Sequence, residues 1–389
     1  MCYNDVPKGG IPMTNENSPR QVAVVGGGAG GLCAAVAAAR AGAQVTIFEK
    51  ANRVGKKLLK TGNGRCNLSN LHVSPEGYNH PAFVAPLLET TGCAELRDFF
   101  ASIGLWTTAD GEGRVYPRSD TATSVLDVLR LAAAGRGARE LCSTEVTGIA
   151  LRRGGFAVTT RESGELTAER VIVAAGGGSA LLRPLGVELV RFEPVLCPLR
   201  TNSGPIRGLT GLRVRCRASL RRDGETVHTE SGELLFRDFG VSGILALDLS
   251  RYARPGDELS LDLLPEMSAQ ELRGRLDARR APDGERLTGV FHRRINEALQ
   301  RVSGGETGAL TAAIKDYRLT VLGPGDVQNA QVTRGGASTE AFDPRTLECR
   351  RHPGLYCVGE ALDVDGRCGG YNLHWAFASG LAAGRSAAE

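Results

Sequence analysis

The stretch "QVAVVGGGAGGLCAAVAAARAGAQVTIFEK", residues 21–50, constrains this chain more than any other. An apolar run from Gln21 to Val25 reads as a buried strand. Glycines follow at once, then an alanine-rich segment that reads as a helix ending near Gly42. A second strand, Gln44 to Phe48, closes on Glu49. Gly26, Gly28 and Gly31 satisfy G-x-G-x-x-G between strand and helix. The first permits a tight turn, the second lets backbone approach a pyrophosphate, and the third lets the helix lie close to the strand. Together with Ala29 and Gly30 they open a helix whose free N–H groups and partial positive charge suit phosphates. Glu49, eighteen residues after Gly31, stands where an acid accepts ribose hydroxyls, with Lys50 beside it. A parallel α/β sheet with a dinucleotide site is the expected product.

The far end of the chain extends that site. "GLYCVGEALDVDGRCGGYNLHWAFASGLAAG", residues 354–384, reads as a short strand, Gly359-Glu360, a loop, and a second small-residue helix opened by Gly369-Gly370. A second glycine-led helix start, some three hundred residues after the first, can hold the other half of a long cofactor. FAD needs this and a one-domain NAD site does not. Glu360 is expected at the ribitol or pyrophosphate. The helix beginning at Tyr371, Asn372 and Leu373 would aim its positive end at the flavin pyrimidine ring. "VIVAAGGGS", residues 171–179, supplies another buried strand ending in glycines, with Ala175 and Gly176 placed for close passage of a cofactor.

Between these parts lies "LLKTGNGRCNLSN", residues 58–70. It crowds two glycines, internal asparagines, an arginine and a cysteine into a stretch little of which suits a core. Gly62 and Gly64 allow close backbone approach, and Asn63 and Asn67 tolerate unusual φ and donate amide hydrogen bonds.

With "VVGGGAGG", "KKLLKTGNGRCNLSN", "GRVYPRSDTATSVLDVL", "AQVTRGGASTEAFDPRTLE" and "GLYCVGEALDVDGRCGGYNL", the chain resembles the BaiN/YhiN-type flavoproteins over nearly everything after residue 20. These are also labelled NAD(P)/FAD-dependent or aminoacetone-oxidase-type oxidoreductases. The resemblance implies noncovalent FAD, a reducing nicotinamide (NADH or NADPH) as a transient partner, and a cytosolic location. It lays "TGNGRCN" along the isoalloxazine and ribityl part of FAD. The set it implies adds Gly55, Lys56, Lys57, Arg65, Cys66 and Val146 to the residues named above. Relatives carry Thr-His ahead of the "GVSG" turn where this chain has Arg237-Asp238, which puts a histidine role there in doubt.

The middle departs from the α/β pattern. From about Pro194 apolar and polar residues alternate, and Asp223-Gly224 marks a hairpin turn. Ser268 and Glu271 then form a capping box, and helical segments follow through Val321. The expected architecture is α/β, a split Rossmann-like FAD domain of the two-dinucleotide-binding type, with an inserted β-barrel and a small helical domain that cap the flavin. Its boundaries are a loose tail at 1–20, the FAD domain at 21–193 and 328–389, the β-rich insert at 194–265, and the helical insert at 266–327.

A net charge of +4 over 389 residues gives no support for a dedicated nucleic-acid surface. Ten scattered cysteines without C-x-x-C or metal-ligand spacing read as free thiols in a reducing compartment, with no metal expected. No apolar leader and no membrane span are visible. The reading is therefore a cytoplasmic FAD oxidoreductase acting on a small molecule, with oligomeric state left open. Candidate catalytic residues are Arg65, Cys66 and Tyr371. Cys368 is a possible redox partner of Cys66, Arg114 and Arg118 are possible anion binders, Tyr116 a possible proton donor, and His374 a packing residue. The leading reaction moves hydride from a nicotinamide to flavin and on to a conjugated C=C. An O₂-using amine or aminoketone oxidase and a flavin-bearing RNA-modifying or regulatory protein are the alternatives.

Overall fold

A computed structural model describes residues 19–279, 281–282, 285–327 and 330–389. The tail expected at 1–20 thus lies almost wholly outside the described residues. The chain divides into two compact units, one running to Glu193 and resuming over Thr333–Glu389, the other Pro194–Val332.

The first unit is built on a five-stranded parallel sheet. Its order is Leu355–Cys357, Arg170–Val173, β1 (Gln21–Val25), β2 (Gln44–Glu49) and Arg139–Cys142. Val22 to Val25 are buried, as an apolar run in a two-faced sheet must be. The helix α1 (Ala29–Arg40) buries every residue from Gly30 to Ala39. Its alanine content follows from its neighbour, the closing helix Tyr371–Ala388. A Cβ at Gly380 would lie 2.3 Å from the Gly30 carbonyl oxygen, and one at Gly384 would lie 2.3 Å from that of Ala34. Only small residues allow two helices to approach this closely. Phe100 and Phe377 fill the far side edge-to-face, 5.0 Å between centroids. An antiparallel sheet, Val146–Arg152, Gly155–Thr160 and Gly164–Ala168, and a smaller one, Ser69–Asn70, Arg114–Pro117 and Thr107–Ala109, complete the unit.

The second unit is a closed six-stranded barrel with helices. The barrel order is Leu199–Thr201, Gly240–Ser242, Glu225–Arg237, Arg213–Arg222, Glu258–Asp262 and Tyr317–Pro324. The hairpin turns on Asp223 and Gly224, at φ 52° and 86°, the left-handed pair that a two-residue hairpin demands. The capping box forms as read: Ser268 Oγ accepts from the Glu271 N–H and Glu271 Oε2 accepts from the Ser268 N–H. The helical stretch ends earlier than the sequence suggested. Helices Arg293–Ser303 and Thr307–Lys315 are followed by the strand Tyr317–Pro324, whose residues alternate buried and exposed and close the barrel. That alternation, with Tyr317, Leu319 and Val321 inward, is a period of two that the preceding helical pattern obscured.

Candidate active site

The site lies at the carboxyl ends of the parallel strands of the first unit. After β1 the chain turns on Gly26, at φ 107°, and the Gly26 N–H donates to Phe48 O at 2.8 Å. A Cβ on Gly26 would sit 2.7 Å from Ala174 O, and one on Gly31 would sit 1.9 Å from Gly26 O. Both positions therefore exclude any other residue. The first turn of α1 has no side-chain cap at Gly28 and no acid, so its N–H groups are offered outward. Glu49 is held rigidly, with Oε2 accepting from the Gly27 N–H at 2.9 Å and Oε1 from the Ala51 N–H at 2.8 Å. Gly55, at φ 73°, donates its N–H to Gly27 O at 2.8 Å and ties the following Lys56-Lys57 segment to the glycine turn. Lys50 and Lys56 are exposed, and Val146 begins its strand half-buried.

On the opposite side, Ala175 and Gly176 follow the strand Arg170–Val173, and Gly359-Glu360 follow Leu355–Cys357. Glu360 pairs with Lys57 at 2.5 Å across the opening. The Gly359 N–H donates to Ser379 Oγ at 3.0 Å and its carbonyl accepts from Trp375 Nε1 at 3.2 Å, which fixes that turn on the closing helix.

The segment Leu58–Gly64 makes two short helical turns broken at Thr61. Gly62, Asn63, Gly64 and Cys66 all have positive φ, at 55°, 55°, 86° and 59°. The sequence suggested Asn63 and Asn67 for unusual φ; Cys66 takes that role instead of Asn67. Asn67 contributes differently, since its Oδ1 is buried without a hydrogen-bond partner. Gly370, at φ 106°, caps the closing helix without a side-chain cap or an acid in its first turn. A Cβ there would meet Ser69 O at 2.3 Å and Asn67 Oδ1 at 2.9 Å.

Several candidate side chains turn out to be committed. Cys66 is fully buried, and burial pushes its thiol up to about 12, which favours the protonated form. Cys66 and Cys368 are both free thiols. The buried Tyr371 donates its hydroxyl to His72 O at 2.8 Å. Both ends of the Asn372 amide bond to Gly366, accepting its N–H and donating to its carbonyl at 2.8 Å each. Leu373 is half-buried beside it. Arg114 is spent on Asp110 and Glu112 at 2.7 and 3.0 Å. Arg65 is freer. Its Nε donates to Asp120 Oδ1 at 2.6 Å while the guanidinium lies 4.2 Å over the Tyr116 ring, and the residue is exposed. Arg118 is exposed. In the second unit, Arg237 lies over the Phe239 ring at 5.6 Å.

Sequence reasoning missed the frame that sets the loop ahead of Gly370. Arg334 pairs with the fully buried Asp365 at 2.7 Å, His80 with Asp363 at 3.0 Å, and Asn79 accepts the Asp365 N–H at 2.9 Å. His374 is a buried ring between Ser69 and Thr91. Nothing in linear spacing signals these pairs.

Two uncapped helix starts, glycines where a Cβ would strike backbone, and the unpaired Asn67 carbonyl oxygen suit a long cofactor that presents phosphates to one helix start and a ring with hydrogen-bond donors to the other. Residues 20–386 match the family described as HI0933-like protein Rossmann domain. The chain belongs to the HI0933-like family. A 3-dehydro-bile acid delta(4,6)-reductase of Clostridium scindens is 36% identical over 408 aligned residues, 95% of this chain and 99% of that one. A ribosomal RNA dihydrouridine synthase of Escherichia coli is 27% identical, covering 92% of this chain and 96% of its own. In fold, the HI0933-like chain is similar to the open conformation of a flavocytochrome c3 fumarate reductase, with TM-score 0.50 and 18% identity over 96% of this chain and 78% of that chain. This HI0933-like protein is an FAD-dependent oxidoreductase. Among the described residues no helix is long and apolar enough to cross a membrane.

Proposed function

We propose that this flavoenzyme takes hydride from NADH or NADPH and, with a proton taken from solvent, saturates a C=C conjugated to a carbonyl in a small organic acceptor. The observation that carries the reading is the pairing of two uncapped glycine-led helix starts, at Gly28 and Gly370, around one set of strand ends. When bound there, FAD supplies hydride acceptance and donation. We assign its phosphates to the turn of Gly26, Gly28, Ala29, Gly30 and Gly31, and its adenosine ribose to Glu49 and Lys50, with Val146 nearby. Gly55, Lys56, Lys57, Ala175, Gly176, Gly359 and Glu360 line its middle. Its ring system falls to Gly62–Asn67 and Gly370–Leu373.

Arg65 is the side chain we assign to the acceptor. A guanidinium whose outer nitrogens are unspent can pull on a carbonyl oxygen as negative charge builds there, and a stacked, ion-paired cation needs little reorganisation to do so. Cys66 and Tyr371 we assign to shaping the site, because one is a buried protonated thiol and the other has its proton engaged. The names of two relatives support the chemistry: a delta(4,6)-reductase saturates C=C bonds, and a dihydrouridine synthase saturates the uracil C=C next to a carbonyl. The second name also supports a second reading, in which the acceptor is a uracil within RNA. With nine free thiols among the described residues, we place the protein in the cytoplasm.

Stopped-flow mixing with NADH and with NADPH, then reoxidation by a steroid enone, an uridine-containing RNA transcript or O₂, tests this. Fast reoxidation by the enone alone is the expected result. Preference for RNA selects the second reading, and preference for O₂ with peroxide release selects an amine or aminoketone oxidase.

A further inference from the structure

The amino ends of the same parallel strands carry a cleft remote from everything above. Three turns meet there: residues 151–156 between two strands of the antiparallel sheet, the step from Glu169 into Arg170, and residues 351–353 ahead of Leu355. Strand pairing forces the meeting. Phe156 opposes Ala168, Val171 opposes Leu355, and the Val171 N–H donates to Gly354 O at 2.9 Å. Gly155 comes so close that a Cβ would lie 2.3 Å from Ala168 O.

The lining carries Arg152, Arg170, Arg351 and His352 against a single carboxylate, Glu169. That carboxylate is already engaged, by the Gln21 N–H at 2.9 Å and by Arg20 at 3.3 Å. Arg170 donates only to the Glu169 carbonyl oxygen, at 3.2 Å, and neither it nor Arg351 has a carboxylate partner among the described residues. Arg152 pairs with Glu165 at 3.0 Å, but both are about half exposed, and such a pair is readily exchanged. His352 is pinned by its Nε2 to Leu185 O at 2.7 Å. Arg170 and Arg351, without a carboxylate partner of their own among the described residues, can be joined by an anion, and their planar forks match phosphate oxygens.

The cleft is separate from the dinucleotide turn. Four residue steps along the strand Arg170–Val173 separate Arg170 from the Ala174 that leads into it, roughly 13 Å at the rise of an extended chain.

We propose that this cleft is a second anion site, for a small molecule bearing a pyrophosphate, at the amino end of the sheet, opposite the end proposed for FAD. The test uses FAD-saturated protein, so that the first phosphate cradle is filled, with inorganic pyrophosphate as the probe in isothermal titration at fixed ionic strength. Expected is one site with Kd below about 1 mM. The double variant Arg170→Gln/Arg351→Gln should weaken it about tenfold or more, the loss of two charge-assisted contacts, with circular dichroism and bound FAD unchanged. Absence of binding to wild type at about 10 mM, or equal binding by the double variant, overturns the proposal. So does a short unphosphorylated-end RNA oligonucleotide that binds more tightly than pyrophosphate through the same two arginines, since the site would then read a nucleic-acid backbone.

Discussion

His374 gives the fold a pH dependence that can be traced to one ring. The side chain is fully buried, its Nε2 is 3.0 Å from Thr91 O, and its Nδ1 is 2.8 Å from Ser69 Oγ. A carbonyl only accepts, so Nε2 holds the proton and Nδ1 accepts from the serine hydroxyl; the ring is neutral. Burial pushes its pKa down from 6.5 to about 4. Between those values the unfolded chain binds more protons than the folded one, so stability falls as pH falls. The drop from 6.5 to about 4 is worth roughly 3 kcal/mol in all. About 2 kcal/mol of that is lost on moving from about pH 7.5 to about pH 5. Urea denaturation followed by tryptophan fluorescence measures it in the right place, because Trp106 and Trp375, the two tryptophans of the chain, both lie in the first unit. Glutamine at this position can still donate to Thr91 and accept from Ser69 without titrating. The His374→Gln protein should therefore lose about 2 kcal/mol less than wild type over that interval. Equal losses in the two proteins would refute the reasoning.

Other substitutions probe the site directly. Glu49→Gln leaves one acceptor oxygen for two backbone donors and should weaken FAD by about 1–3 kcal/mol, read by titration of apoprotein; unchanged affinity would mean that another acid serves the ribose. Cys66→Ser should keep FAD and near-normal reduction by NAD(P)H, because the buried thiol is protonated already; a large loss of turnover at full FAD occupancy would restore a redox role. Gly64→Val meets no protein atom within 4 Å but must hold φ 86°, so about 1–2 kcal/mol of strain falls on the loop alone. The expected outcome is lost or displaced flavin, seen in the visible spectrum, with circular dichroism intact. Normal binding and turnover would make that loop mere surface.

The β1–α1–β2 unit was legible because its signals are local: an apolar run, glycines at fixed spacing, an acid at the end of the second strand. The hairpin at Asp223-Gly224 and the capping box at Ser268 were legible for the same reason. What escaped were pairings across long separations. Ser69 with His374, His80 with Asp363 and Tyr371 with His72 join residues 305, 283 and 299 positions apart, which no periodicity encodes. Cys66 shows another limit. Its left-handed backbone and full burial are imposed by the loop around it, and nothing about a cysteine beside an arginine predicts either. The strand Tyr317–Pro324 was lost because a period of two directly follows a helical one.

The close seating of the closing helix on α1 has a consequence for how this protein is made. The alanine face of α1 and the turn at Gly26 leave the ribosome early, whereas Tyr371–Ala388, against which they lie, is synthesised some 340 residues later. At typical elongation speeds that interval is roughly 20–70 s. Throughout it the nascent chain holds a half-built cofactor cradle and an uncovered apolar helix, while residues 194–332, contiguous in sequence, can complete their own barrel. Capture of flavin at the site proposed above therefore has to wait until the closing helix has left the ribosome and seated on α1.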